Sequence, residues 1–501
     1  MANHKQGIPL LLAGWLSLAA CRKNQAGDGG TPLPAGTRLE LSLDSLYLYA
    51  RETYLWYPSL PAYAAFAPRQ YATAATLDMA ALQSALQAIT NQAINPATNQ
   101  PYEYRPGYHQ PLYSYIAKGN IITGRSASVG LDGAGNDMGL GIAVVNNTQV
   151  YIRYVEQGSP AAAAGLERGM QLLQVNGAPV STNPFVLKDM LESSSLSLLL
   201  QKQDGDTLEV ILNRAAYTAS PVLKTTILDA GSKKVAYIAL ARFSHPDNAQ
   251  AALKAAFDAF SGKDITNMVI DLRYNAGGYV ETAEYMTNLI APAAINGAVM
   301  YAEHYNTLLQ QGKAPILKQI PYLDENRQPV YVNGRPATYA DADYSVKGNT
   351  HHFEKKGALT GIKSVVFLVS GSTASAGELL INCLKPYVDV KLVGSTTYGK
   401  PVGFFGIGID VFTVYLSQFR ILNTSGEGDY YAGLNPDFPA TDDVTRDFGD
   451  PEEACLQQAL AYISKSPFRT GGQEALPVTV KTIVTEEATF TGMIERRRPL
   501  K

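Results

Sequence analysis

Apolar residues recur at helical spacing twice near the start of the chain. Leu43, Leu46, Ala50 and Tyr54 form one stripe. Leu77, Met79, Leu82, Leu86 and Ile89 form a second, and Pro58 and Pro61 break the pattern between them. These stripes predict a small helical unit over 37–127. From 128 to 221 the period shortens to strands, at Val144-Val145 and at 150–153, set between glycine-rich turns. A third texture fills 222–466. Residues 234–243 read as a strand and 246–260 as a helix with Leu253, Phe257 and Phe260 on one side. Residues 268–273 form an apolar strand that closes on Tyr274-Asn275-Ala276-Gly277-Gly278, and a second helix follows over 280–290. The motif repeats at Val365-Val366-Phe367-Leu368-Val369: buried strand, turn of small residues, apolar helix stopped by Pro386, strand over 388–393, then Gly394 to Lys400. Alternating strands and helices predict an α/β core with several parallel pairings. Residues 291–363 interrupt it, polar and turn-rich, and read as an insertion near the site. Beyond Lys400, 404–409 and 411–416 read as strands. Asp450-Pro451-Glu452-Glu453 reads as a helix start with Asp450 as N-cap. The tail, 467–501, has weak strand signals and a basic end at Arg496-Arg497-Arg498.

Composition narrows the function little. At 501 residues the chain predicts several domains, and its 46% hydrophobic and 17% charged residues are ordinary for a globular protein. A net charge of -3 without a long basic run predicts no nucleic-acid partner. The three cysteines, Cys21, Cys383 and Cys455, make no disulfide framework, and the six histidines have no metal-ligand spacing. Cys383 and Cys455 fall in helical patterns and are expected to be buried thiols.

The first twenty residues read as a targeting segment. Lys5 supplies a short positive region and residues 8–20 an apolar run too short to span a bilayer comfortably. The run ends Leu18-Ala19-Ala20-Cys21, which resembles a bacterial lipoprotein signal. The resemblance implies cleavage before Cys21, lipidation of that cysteine, attachment to a cell-envelope membrane and a flexible tether over 21–36.

The candidate chemistry lies between Ser370 and Lys400. A serine hydroxyl needs a base to become a nucleophile, and a lysine serves only when neutral, so its pKa must fall from about 10.4 toward 7–8. Apolar surroundings supply that shift, and Tyr398, Val402 and Phe404 flank Lys400. On spacing alone Ser370, Ser372 and Thr373 compete as candidates, and a helix cap plus a surface lysine accounts for the same residues.

Two resemblances extend this reading. Gly158-Ser159-Pro160-Ala161 through Ala164-Gly165-Leu166, followed by Gly169-Met170-Gln171-Leu172 and Val175-Asn176-Gly177, resembles a PDZ domain. Met138-Gly139-Leu140-Gly141-Ile142 matches that family's carboxylate-binding loop. Gly139, Leu140, Gly141 and Ile142 are then expected to receive a C-terminal tail, with 183–192 as the groove's helix. The core resembles the C-terminal processing (tail-specific) peptidases. The residues that carry this are Asp271-Leu272-Arg273, Asn275, Gly277-Gly278, the block Gly371-Ser372-Thr373-Ala374-Ser375-Ala376-Gly377-Glu378, Thr397, Gly399-Lys400, Gly433-Leu434 and Pro436-Asp437. The resemblance implies a multidomain α+β protein with a crotonase/Clp-protease-like α/β core, an inserted PDZ domain and an N-terminal helical domain. It makes Ser375 the nucleophile and Lys400 its base. Ala376 with Gly277 or Gly278 then holds the oxyanion, proteins or peptides are the substrates, the PDZ domain binds their C-terminal tails or gates access to the site, and no metal or organic cofactor is needed. Phe404 stands where many members carry a supporting glutamine. Tricorn-like relatives use a histidine base, for which His245 is the candidate here. The rival expectations are a non-catalytic peptide-binding lipoprotein and a hydrolase of another cell-envelope substrate.

Overall fold

The computed structural model describes residues 35–73, 77–104, 106–107, 109–118, 125–126, 129–324, 328–465, 480–483, 492–494 and 499–501. The targeting segment, Cys21 and most of the tether lie outside them.

The first helix, Arg38–Thr53, starts in a capping box between Thr37 and Glu40. It buries Leu43, Leu46, Tyr47 and Ala50 against Leu82, Leu86 and Ile89 of the helix Asp78–Thr90. Leu77 departs from its stripe: it is the N-cap of that second helix and is 69% exposed. The helical unit is not a separate body. Its apolar residues run continuously into the main core, and its strand Tyr115–Lys118 pairs with Phe412–Tyr415.

The central sheet has six strands. Val222–Ala230 and Lys233–Leu240 pair antiparallel, and Asn267–Asp271, Ser364–Val369, Asp389–Gly394 and Phe438–Pro439 then follow in parallel. Asn267–Asp271 and Ser364–Val369 are buried at every position, which is why they read as continuous apolar runs. Helices Pro246–Ala259, Val280–Ile290 and Ala376–Leu384 cover one face of this sheet, and Ala454–Ser464 covers the other. Cys383 and Cys455 are both buried. The last helix begins at Ala454, with Glu453 as its cap, rather than after Asp450. Glu453 accepts from Leu456 N and also from Arg273 Nη1, so the tertiary ion pair fixes the helix start. Parallel pairing aligns Asp271 with Leu368 and Val369 with Gly394, which sets the turns after these strands side by side at one sheet edge.

Residues 291–363 carry more regular structure than their polarity suggests. Strand Val299–Tyr305 lies between Thr350–His352 and Phe419–Asn423, and Tyr301, Tyr305, Leu317, Tyr344 and Phe353 join the main core.

The segment resembling a PDZ domain has its own core, built on Ile142, Val144, Ile152, Leu172, Leu187 and Leu198. Its strands are ordered Thr207–Asn213, Ser195–Gln201, Gln171–Val175, Gln149–Val155 and Leu140–Val145, with helix Pro184–Leu191 alongside. Two buried side chains tie it to the central sheet. Glu156 pairs with Arg242, and Arg168 reaches Asp442 and the Tyr274 hydroxyl.

Candidate active site

The turn between Val369 and Ala376 uses its hydroxyls unequally. Ser370 Oγ donates to Arg273 O, and Thr373 Oγ1 donates to Leu272 O at 2.8 Å while accepting from Ser370 N at 3.0 Å. Both side chains therefore stitch this turn to the neighbouring one, and Ser372 is exposed. Ser375 differs. It is fully buried, it caps the helix Ala376–Leu384, and its Oγ has no hydrogen-bond partner among the described residues. Its backbone lies at φ 57° and ψ -109°. A non-glycine residue there costs about 1–3 kcal/mol, and such residues persist where the surroundings over-determine them. Here Ser375 N donates to Glu378 Oε2 at 2.8 Å, and Ala374 N to Asn275 O at 3.1 Å.

Glu378 is the hub. Its Oε2 also accepts from Lys400 N at 2.8 Å. Its Oε1 accepts from Gly399 N at 2.7 Å and from Thr397 Oγ1 at 2.5 Å. One oxygen thus anchors the backbones of Ser375 and Lys400, residues 25 positions apart in the chain. Burial pushes the Glu378 carboxyl up, and the four donors oppose that.

Lys400 is 1% exposed, and burial lowers its pKa to about 7 against the opposing charges of Glu103 and Glu378. Its Nζ lies 4.6 Å from the centre of the Phe404 ring, itself packed edge-on by Tyr115. Glu103 comes from the N-terminal helical unit. It is buried and accepts from Ser114 N and Oγ, Tyr113 N, Ser417 Oγ and Tyr54 OH. The same unit reaches the lysine segment through Tyr113 OH, which donates to Gly399 O at 2.6 Å.

The glycine turn lies next to this pair. Asp271 and Arg273 are structural: Arg273 binds Asp271, Asp442 and Glu453 within the buried interior. Asn275 shapes the turn, donating to Leu240 O and accepting from Gly277 N at 3.0 Å. Gly278 has φ 137°, and a Cβ there would meet Phe243 O at 2.1 Å, so only glycine fits. Gly277 O and Tyr279 N bond to Phe243. The amide of Gly278 therefore faces the opposite edge. Ala376 is the first residue of its helix, where the backbone N–H has no intrahelical partner. His245 caps the helix Pro246–Ala259 through Nδ1 and stacks edge-on against Tyr279. In the PDZ-like loop, Gly139 N donates to Asp137 Oδ1 at 2.7 Å, and Leu140, Gly141 and Ile142 open the strand Leu140–Val145.

Two family models match segments of the chain. Residues 234–440 match the model of peptidase family S41, and residues 124–196 match that of the PDZ domain. The chain carries an S41 peptidase domain and a PDZ domain. It is 26% identical over 294 residues to the carboxy-terminal processing protease CtpA of Bacillus subtilis, covering 57% of this chain and 52% of that protein. It is 25% identical over 289 residues to the chloroplastic C-terminal processing peptidase of Tetradesmus obliquus, covering 53% and 52%. The chain thus spans about half the length of the curated relatives it matches. A crystal structure described as a putative S41 protease from Bacteroides fragilis shares the fold, with a TM-score of 0.54 at 21% identity over 87% of this chain and 99% of that one. No helix among the described residues is long and apolar enough to cross a membrane.

Glu378 and Glu103 are the participants that sequence reasoning did not assign. Glu378 stands in the block quoted for the nucleophile, and its place three residues after Ser375 is a capping-box signal. Glu103 has no comparable signal.

Proposed function

We propose that this protein is a serine endopeptidase in which Ser375 is the nucleophile and Lys400 its general base. The observation that carries the reading is the shared Glu378 carboxylate, which ties the backbones of a buried, unpartnered serine and a buried lysine lowered to about pH 7. Neutral Lys400 removes the Ser375 proton as Oγ attacks the scissile carbonyl, and later returns it to the leaving amine. The Ala376 amide, at the positive end of its helix, and the Gly278 amide face the developing oxyanion; the Gly277 amide, also expected there, donates instead to Asn275 Oδ1. Phe404, whose ring lies against the Lys400 ammonium, contributes to its desolvation. Substrates are proteins whose C-terminal tails add as a strand to Leu140–Val145 of the PDZ domain.

The test is cleavage of casein and of tail peptides by the wild type, Ser375→Ala and Lys400→Ala. Each variant is expected to lose roughly 10⁴-fold or more in kcat. Wild-type turnover in either one removes the dyad. Retained biological activity in Ser375→Ala points instead to a peptide-binding lipoprotein, and turnover of envelope polymers without peptide cleavage points to another hydrolase.

The Leu18-Ala19-Ala20-Cys21 motif further supports a bacterial envelope protein held to its membrane by a lipid on Cys21. Incorporation of a labelled fatty acid by the wild type and not by Cys21→Ser is the expected result. Equal labelling, or none in either, refutes the anchor.

A further inference from the structure

The edge of the PDZ sheet that a peptide needs already holds a strand. Val480–Ile483 pairs antiparallel with Leu140–Val145, with Val480 opposite Val145 and Ile483 opposite Ile142, beside the loop nominated for a carboxylate. The same part of the chain returns at the peptidase site. Gly492–Ile494 pairs parallel with Gly277–Tyr279, and Ile494 also bridges to Phe404, the residue against Lys400. It lies on the edge faced by the Gly278 amide. Ile494 is buried in a small cluster with Leu131 and Tyr279. A third attachment follows, where Asp343 N donates to Pro499 O at 2.8 Å and Lys501 N to Asp341 O at 3.0 Å.

We propose that the chain occupies its own peptide-binding surfaces. Val480–Ile483 fills the PDZ edge, Gly492–Ile494 fills the cleft beside the oxyanion glycines, and a protein substrate binds only when both have left. This rests on the peptidase reading above. The polarity of the segment distinguishes a plug from a substrate. A substrate captured by its tail in the PDZ domain presents the scissile bond upstream of the captured residues, whereas here the residues in the cleft lie downstream of those on the PDZ edge. Being part of the same chain, the segment competes at a high effective concentration, so modest strand pairing suffices to exclude a peptide in trans.

The test uses the full chain. Lys481→Pro with Thr482→Pro removes two successive amides, one of which must face the PDZ strand, and Ile494→Asp puts a charge in an apolar site. With both anchors broken, kcat/KM for casein is expected to rise on the order of 10-fold, as a minor open population becomes the major one. Unchanged or lower turnover overturns the inhibition. A second readout needs no catalysis. A fluorescent peptide of residues 478–501 is titrated into Ser375→Ala with its own anchors intact and with them broken. Binding at least tenfold tighter to the broken form supports self-occupancy, and equal or absent binding refutes it. If no form cleaves casein but the peptide shows this difference, the peptidase reading fails and the occupancy stands. If casein is cleaved equally by all forms, the reverse holds.

Discussion

Lys400 holds its proton up to about the ordinary lysine value of 10.5 when the chain is unfolded, but only to about 7 when folded. In the proposed dyad neutral lysine is the catalytic form, so kcat/KM should climb with pH and level off above an acid limb near pH 7. Glu103 and Glu378 both raise this pKa. Replacing Glu103 with Gln while its carboxylate is ionised removes one raising charge, so the limb should move to lower pH. A limb moving upward, or not at all, would show that Glu103 does not act on Lys400. The same shift affects stability. Between pH 7 and 10.5 the unfolded chain binds one proton more than the folded chain, so stability rises with pH through that window. Below pH 7 the fold carries the whole cost of a buried ammonium, roughly 4–5 kcal/mol. Lys400→Met should therefore be inactive yet more stable than the wild type at pH 6, with the gap closing toward pH 10.5. Denaturant unfolding at several pH values measures this, and a gap that grows with pH would contradict it.

At the scale of the element, the site depends on the first turn of the helix Ala376–Leu384. Glu378 sits at the third helical position and turns back to the cap, a local geometry that the Ser-x-x-Glu spacing announces. What no spacing announces is that its second oxygen and its remaining lone pairs serve Thr397, Gly399 and Lys400, which arrive from the next strand. Glu378→Gln replaces one acceptor with an NH2 group facing donors. It should cost about 1–3 kcal/mol of stability and lower kcat more than it raises KM, because it releases the backbones of both members of the proposed dyad. Equal KM and kcat effects would instead indicate a role in binding. This contrast marks how far the sequence could be read. The helix over 246–260 was legible because it buries one face, with Ala249, Leu253, Ala256 and Phe257 inward. The strands at 268 and 365 were legible because both of their faces are buried. Asp450 was misread as a cap because Arg273, far away in sequence, recruits Glu453. Glu103 was illegible for the same reason, since its significance lies in a lysine almost three hundred residues away. The strands at 480 and 492 carried only weak local patterns because both are short: one adds to the edge of the PDZ sheet, and the other makes a two-stranded pairing with Gly277–Tyr279.

At the scale of the whole molecule, the PDZ domain is joined to the peptidase core through buried charge. Glu156 and Arg242 are 2% and 1% exposed, and Arg242 follows the strand Lys233–Leu240 and directly precedes Phe243, the residue bonded to the glycine turn. Arg168 reaches Asp442, which also binds Arg273 and Tyr274 at the start of that turn. A displacement of the PDZ domain therefore disturbs the same backbone that presents Gly277 and Gly278. Burying two charges costs much of what their attraction returns, so the pair is worth more for holding one docking geometry than for raw stability. Removing one partner is a different matter, because it strands the other. Glu156→Ala is expected to destabilise the protein by roughly 3–5 kcal/mol. Combining Glu156→Leu with Arg242→Met leaves no charge to strand and should recover most of that loss. If the pair fixes docking, the apolar double variant will regain its melting temperature but not its kcat, because the domain can then settle in more than one position against the glycine turn. Recovery of both together would mean that the ion pair does no more than fill its space.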